Sequence, residues 1–196
     1  SRMSGTFKNS YWCFGNEQRY MIVKHEEGMR IRTITKKEQK KQEHKLSKEM
    51  FLSFKKRAWL FLAIRKVYFM MSPIMKRKPI WMYLDKIYKG GDSSEYLYRY
   101  SIAQKDGNKH YYLIDKNATD YKRLKKDGYK PLVRGSIKHR LVFLMADMMV
   151  ISNSTVFAFN NYGLPNSSYV RDLVDFHVCC VQHGMSVQKI AVAQNR

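Results

Sequence analysis

The sequence predicts an α/β fold, a Rossmann-like doubly wound parallel sheet preceded by a basic amphipathic helix and a short β segment. Three observations lead there. From Pro79 onward, short apolar runs alternate with helical patterns at the spacing of repeated β–α units. The first of these runs, Ile80-Trp81-Met82-Tyr83-Leu84, is apolar throughout, as suits a strand covered on both faces. Upstream, the tract from Lys36 to Lys78 has helical periodicity and a different composition, with 14 basic and 3 acidic residues.

Residues 1–35 read as the end of a β-rich accessory region. Tyr20–Lys24 and Met29–Ile34 are strand-like runs joined by a turn around Glu26-Glu27-Gly28. Residues 36–78 read as one basic amphipathic helix, limited by Pro73 and Pro79. At about 100° per residue, Lys45, Lys48, Lys55, Lys56 and Lys66 fall on one arc. Phe51, Phe54, Ala58, Phe61, Tyr68 and Phe69 fall on the other, with Trp59 close by and with Arg57 and Arg65 interrupting the apolar side. That is the pattern of a helix lying in a membrane interface, its long basic stems reaching back to water. An amphipathic helix packed on its own protein has the same pattern, and both readings stay open here.

Residues 79–196 hold the β–α units. Asp92 to Lys105, Asp120 to Lys126 and Ile137 to Met145 are the helices. Tyr111–Ile114, Leu132-Val133, Met148–Ile151 and His177–Val181 are the strands that follow Ile80–Leu84. Gly90-Gly91-Asp92-Ser93-Ser94-Glu95 resembles a capping box at the first helix start.

The chain of 196 residues carries 37 basic and 16 acidic residues, a net charge of +21. A localised basic excess selects polyanionic partners: anionic lipid, nucleic acid or a phosphate-rich polymer. A nucleic-acid module would account for the charge but not for its position outside the β–α units, so no nucleic acid is expected. Three cysteines, two of them adjacent, make no disulfide framework and suit a reducing compartment. The tract from Met50 to Met75 is interrupted by Lys55-Lys56-Arg57 and Arg65-Lys66, so it is not expected to span a membrane. The chain begins without a Met and stops just after a motif, and is expected to be a piece of something longer.

In a doubly wound sheet, ligands bind beyond the carboxyl ends of the strands. The residues there are Asp85, Asp115, Gly135-Ser136, Ser152-Asn153-Ser154 and Gln182-His183-Gly184. An imidazole at a strand end, followed by glycine, suits a general base that takes a hydroxyl proton, although a structural His fits the same spacing. Cys179-Cys180-x-x-His183 lacks a second ligand pair, and no metal is expected. There is neither a G-x-G-x-x-G nor a P-loop, and no cofactor is expected.

These residues, in this order, resemble the glycerophosphotransferase domain of teichoic acid polymerases. The resemblance begins with Pro79–Asp85 and Gly91–Tyr100, and continues through Tyr111–Asp115, Asp120-Tyr121-x-x-Leu124 and Gly135-Ser136-x-Lys138-His139. It closes with Ala146-Asp147, Val150-Ile151-Ser152 and Val181-Gln182-His183-Gly184. It implies that residues 79–196 are the N-terminal, acceptor-side half of a glycosyltransferase-B-like fold, cut before the nucleotide-binding half. It implies transfer of glycerol phosphate from CDP-glycerol, held through that missing half, to a lipid-linked polyglycerol-phosphate-type acceptor, with release of CMP.

By the same resemblance His183 is the catalytic base. Asp85, Asp92, Glu95, Ser136, Ser152, Asn153, Gln182 and Gly184 are substrate-binding, the three acids facing the cleft. The resemblance places the protein peripherally on the cytoplasmic face of the plasma membrane, with Lys45, Lys48, Lys55, Lys56, Trp59, Phe61 and Lys66 facing an anionic surface. Ser93-Ser94 and Met185–Lys189 depart from the family pattern. A related enzyme using CDP-ribitol or a sugar nucleotide therefore stands as the alternative. A fragment lacking the donor half is expected to be inactive alone.

Overall fold

The computed structural model describes residues 11–14, 18–25, 28–152 and 169–181. Its first element is a small antiparallel sheet of β1 (Tyr11–Phe14), β2 (Gln18–His25) and β3 (Gly28–Thr33), in that order. The sequence foresaw β2 and β3; β1 was not foreseen. Thr35 then caps the first helix. Its Oγ1 accepts from the Glu38 N–H at 3.2 Å while the Glu38 carboxylate accepts from the Thr35 N–H at 2.8 Å, a reciprocal capping box.

The basic tract is not one helix. It folds as a hairpin of α1 (Lys36–Leu52) and α2 (Lys56–Met75), with the break at Ser53-Phe54-Lys55. The Ser53 hydroxyl donates to the Met50 carbonyl at 2.7 Å, and Phe54 takes a left-handed φ of 51°. The break resets the helical phase, so residues on one expected arc part company. Phe61 is a correction: expected to face a membrane, it is buried at 4% exposure and stacks on Tyr169 with ring centroids 5.0 Å apart. Lys45, Lys48, Lys55, Lys56, Trp59 and Lys66 are exposed.

Arg65 was expected to snorkel and is instead fully buried. Its guanidinium donates to both oxygens of Asp172 at 2.7 and 2.8 Å, to the Tyr169 carbonyl at 2.8 Å and to the Glu43 carboxylate. By length and apolarity α2 is long enough to cross a bilayer. The Arg65 network and Phe61 tie it to α1 and to Tyr169 and Asp172, and Ala58, Phe61 and Ile64 join the buried core.

The main sheet is built from β4 (Ile80–Leu84), β5 (Lys109–Ile114), β6 (Leu132–Val133), β7 (Met148–Ile151) and β8 (His177–Cys180). Between them come α3 (Ser93–Gln104), α4 (Thr119–Lys126), α5 (Ile137–Met145) and a 3-10 turn at Arg171–Leu173. All pairings are parallel and the order is β6-β5-β4-β7-β8. Counted from β4 as the first strand, this is the 3-2-1-4-5 order of a doubly wound sheet.

Side chains alternate between two cores, as the two-residue strand period requires. Ile80, Met82, Leu84, Leu113, Met149 and Ile151 join α1, α2, α5 and Tyr169–Leu173. Tyr83, Tyr112, Ile114 and Val150, with Trp81 and Met148 beside them, face α3 and α4. Chain order reverses between β4 and β7, which puts the switch point at the sheet centre.

Candidate functional site

At the switch point Leu84 of β4 lies in register with Ile151 of β7. One residue further on, Asp85 and Ser152 emerge side by side, and by strand alternation both turn toward the α3 face. The Ser152 N–H donates to the Leu84 carbonyl at 3.2 Å. Its side chain is 2% exposed, and its Oγ has no hydrogen-bond partner among the described residues. The Oγ of Ser94, fully buried in the first turn of α3, is in the same position.

Asp85 explains why α3 starts where it does. The carboxylate accepts from the backbone N–H groups of Ser94 at 2.9 Å, Asp92 at 3.2 Å and Glu95 at 3.2 Å. The Tyr112 hydroxyl adds a fourth bond at 2.9 Å. These amides are the unpaired donors of a helix N-terminus, a ready anion site. Asp85 fills that site from within the chain, so an incoming phosphate is not needed to satisfy it. Burial, and then the neighbouring Asp85 carboxylate, push the Tyr112 phenol well above its usual range, keeping it a neutral donor.

Glu95 is likewise turned inward, at 2% exposure. It accepts from Arg123 at 2.8 and 2.7 Å, from Arg99 Nε at 2.9 Å and from the Gly91 N–H at 2.7 Å. Burial works to raise its pKa, but the bonds from Arg123 and Arg99 outweigh it and hold the carboxyl below the usual range. Arg123 also donates to Asp120 at 2.8 Å, and Asp120 accepts from the Gly90 N–H at 3.0 Å. A side chain at Gly90 would collide with the Glu95 carboxylate, and Gly91 takes a φ of 86° that favours glycine.

The expected capping box therefore differs in detail. Glu95 reaches Gly91 rather than the N-cap, and Asp92 accepts from the Ser93 N–H at 2.8 Å. Asp85 and Glu95, expected to line an open cleft, are buried clamps of the β4–α3 loop; Asp92 is partly exposed at its end.

Ser136 is the N-cap of α5. Its Oγ accepts from the His139 N–H at 3.0 Å and donates to the Val133 carbonyl at 2.8 Å. The His139 ring is fully buried, and its Nδ1 accepts from the Gly135 N–H at 3.2 Å. Burial, helped by Arg134 and Arg140, pushes its pKa down to about 4, so the ring is neutral near pH 7.

The structure thus brings Asp85, Glu95, Ser152 and Ser136 to one edge of the sheet. Asn153, Gln182, His183 and Gly184 lie outside the described residues. Cys179 and Cys180 are exposed and free. Among the described residues no group of His, Cys, Asp and Glu is placed to hold a metal. Sequence reasoning missed Tyr112, Arg99, Asp120 and Arg123. The i, i+4 spacing of Glu95 and Arg99 was a usable signal. The pairing of Glu95 with Arg123, 28 residues on, had none.

Comparison with known proteins matches residues 64–196 to the family of CDP-glycerol:poly(glycerophosphate) glycerophosphotransferases. The minor teichoic acid biosynthesis protein GgaB of Bacillus subtilis (strain 168) is 32% identical over 114 residues, covering 58% of this chain. The match spans 12% of GgaB's own length. No solved structure matches.

Proposed function

The chain belongs to the CDP-glycerol:poly(glycerophosphate) glycerophosphotransferase family, and from that premise we propose that its parent protein transfers glycerol phosphate from CDP-glycerol to a hydroxyl of a growing teichoic-acid-type polymer. A polymer hydroxyl attacks the β-phosphorus, the new phosphodiester forms, and the bond to CMP breaks. The attacking hydroxyl gives its proton to a base, for which His183 is the candidate. The observation that carries this reading is the family match across the whole doubly wound sheet, whose switch point lies at Asp85 and Ser152. The sheet is the acceptor-side half of a glycosyltransferase-B-like enzyme. Ser152, Asn153, Gln182 and Gly184 are the substrate-binding residues of this reading, while Asp85, Glu95 and Ser136 hold the loops of the described edge.

The test is CMP release from CDP-glycerol by the full-length parent, with and without a lipid-linked glycerol phosphate acceptor, beside His183→Ala. Acceptor-dependent release that falls roughly a hundredfold in the folded variant supports both reaction and base. Turnover of CDP-ribitol or a sugar nucleotide alone overturns the donor.

The same reading puts the protein on the cytoplasmic face of the plasma membrane, docked through the tip of the α1–α2 hairpin. Phe51, Leu52, Phe54, Trp59 and Leu60 are exposed there, beside exposed Lys48, Lys55, Lys56 and Arg57. Phe51 and Phe54 both pack against the Trp59 ring, at 6.2 and 6.4 Å, and the Trp59 indole donates to the Phe51 carbonyl at 3.0 Å. An aromatic knob beside clustered cations suits an anionic interface. Co-sedimentation of the parent with anionic vesicles, lost in Phe54→Ser/Trp59→Ser, supports this docking; retention in the variant overturns it.

A further inference from the structure

The carboxyl edge of the sheet sorts its charges. Asp85, Glu95 and Asp120 are consumed by backbone N–H groups, Tyr112 and Arg123. The other two carboxylates of this edge, Asp92 and Asp115, each accept a backbone N–H, from Ser93 and Asn117, at 2.8 Å. The cations are displayed instead. Lys89, Lys116 and Arg134 are exposed and Lys86 is half-buried, and none lies within salt-bridge distance of a carboxylate among the described residues. Lys86 and Lys89 leave β4, Lys116 leaves β5 and Arg134 leaves β6, so the four follow three neighbouring strand ends. Strands lie roughly 4.8 Å apart, so the strand ends alone span about 10 Å.

The loop that carries Lys86 and Lys89 is held unusually firmly. Lys86 and Lys89 exchange backbone bonds at 3.3 and 3.2 Å, closing a tight turn with Ile87 and Tyr88 at its tip. The Ile87 side chain packs on the core, and its carbonyl accepts from the Asp115 N–H at 2.8 Å. The next three residues, Gly90, Gly91 and Asp92, donate their N–H groups to Asp120, Glu95 and Asp85. At the tip of this clamped turn the Tyr88 phenol is 68% exposed. A fixed loop that hydrogen-bonds its acids internally and carries an exposed tyrosine next to lysines in one tight turn is preorganised for an anionic, hydroxyl-rich ligand.

We propose that Lys86, Tyr88, Lys89, Lys116 and Arg134 form the track that grips the phosphodiester backbone of the acceptor polymer, engaging more than one repeating unit. The proposal rests on the glycerophosphotransferase reading for the identity of the acceptor, and on the charge sorting for the site. The ammonium and guanidinium groups pair with successive phosphates. The Tyr88 hydroxyl donates to a phosphate or a polyol oxygen between them. The buried Asp85 and Glu95 and the half-buried Asp120 act on this track as positioning residues.

The experiment is calorimetric binding of a synthetic tri(glycerol phosphate) to the full-length parent, with neutral triglycerol as control and salt varied. The expected result is that Lys86→Ala/Lys89→Ala weakens the oligomer at least tenfold and flattens its salt dependence, with Lys86→Arg/Lys89→Arg restoring most of the affinity. Tyr88→Phe is expected to weaken binding about threefold, one hydrogen bond's worth. Unchanged oligomer affinity in the double alanine variant overturns the proposal, as does equal weakening of triglycerol. Loss of binding to anionic vesicles with oligomer affinity intact assigns these cations to the lipid surface and also overturns it. Oligomer binding through these residues in a parent that releases no CMP from CDP-glycerol keeps the track and overturns the donor reading instead.

Discussion

The two faces of the main sheet carry different cores. Under α2 and α5 the sheet presents mainly aliphatic and thioether side chains, Ile80, Met82, Leu84, Leu113, Leu132, Met149 and Ile151, with Tyr111 at the margin. Under α3 and α4 it presents phenols: Tyr83 and Tyr112 from the strands, met by Tyr98, Tyr121 and Tyr129. The aliphatic face admits one buried cation, Arg65, and surrounds it with carboxylates from α1 and from the approach to β8. The tyrosine face carries hydrogen bonds among its apolar Ile114, Val150 and Leu124. The Tyr83 hydroxyl meets Ser101 and His110, each at 3.0 Å, and the Tyr112 hydroxyl reaches Asp85. A phenol buries a large apolar ring and still delivers a hydrogen bond at its far end. The strand face that positions a polar edge is therefore enriched in tyrosine, and the strand face that holds α2 and α5 in aliphatics.

Four expectations test this contrast. Glu43→Ala/Asp172→Ala strands the Arg65 charge in the aliphatic face and is expected to cost about 3–5 kcal/mol, read as a large drop in melting temperature of the full-length parent. Replacing the whole network with apolar residues of similar volume is expected to recover most of that loss; failure to recover would show that these charges do more than compensate one another. Leu113→Ala, fully buried on the same face, is expected to cost roughly 2–5 kcal/mol by the same measurement.

On the opposite face Tyr112→Phe keeps the ring and removes one of four donors to Asp85. About 1–3 kcal/mol is expected, with faster amide hydrogen exchange confined to residues 86–95, the loop that Asp85 clamps. A uniform rise in exchange across the sheet would instead mean that Tyr112 is a general core residue.

The fourth expectation is a pH dependence. His139 has its pKa depressed from 6.5 to about 4 in the fold, because burial and two nearby arginines disfavour its charged form. Folding therefore draws stability from the neutral ring that is complete above pH 6.5 and is lost as pH falls through about 4. Protonation would also take Nδ1 away as the acceptor for the Gly135 N–H. The melting temperature of the wild type is expected to fall more steeply between pH 6.5 and 4 than that of His139→Gln, and parallel profiles would remove His139 from the account.

Much of the β–α region was legible because its signals are local. Ile80–Leu84, Ile137–Met145 and Met148–Ile151 fold over the expected bounds. A continuous apolar run and a serine one residue before a helix act through their immediate neighbours. The edge on which the candidate site lies was also legible, since parallel strands put all their carboxyl ends together. What each acid does on that edge was not. Asp85, Glu95 and Asp120 look alike in sequence, and only their distant partners make them clamps of one loop.

The hairpin marks the same boundary. Nothing in Ser53-Phe54-Lys55 is a strong helix breaker, and a positive φ at Phe54 is a choice made by packing α1 against α2. Local signals set the order of elements, the strand alternation that separates the two faces, and the basic excess before Pro79. The tertiary structure decided the 3-2-1-4-5 order, the burial of Arg65 and Phe61, and the sorting of inward acids from outward cations. The physical reason is range. Propensity, capping and periodicity act within a few residues, whereas a buried charge takes its state from partners such as Asp172, 107 positions away from Arg65, that only the folded chain supplies.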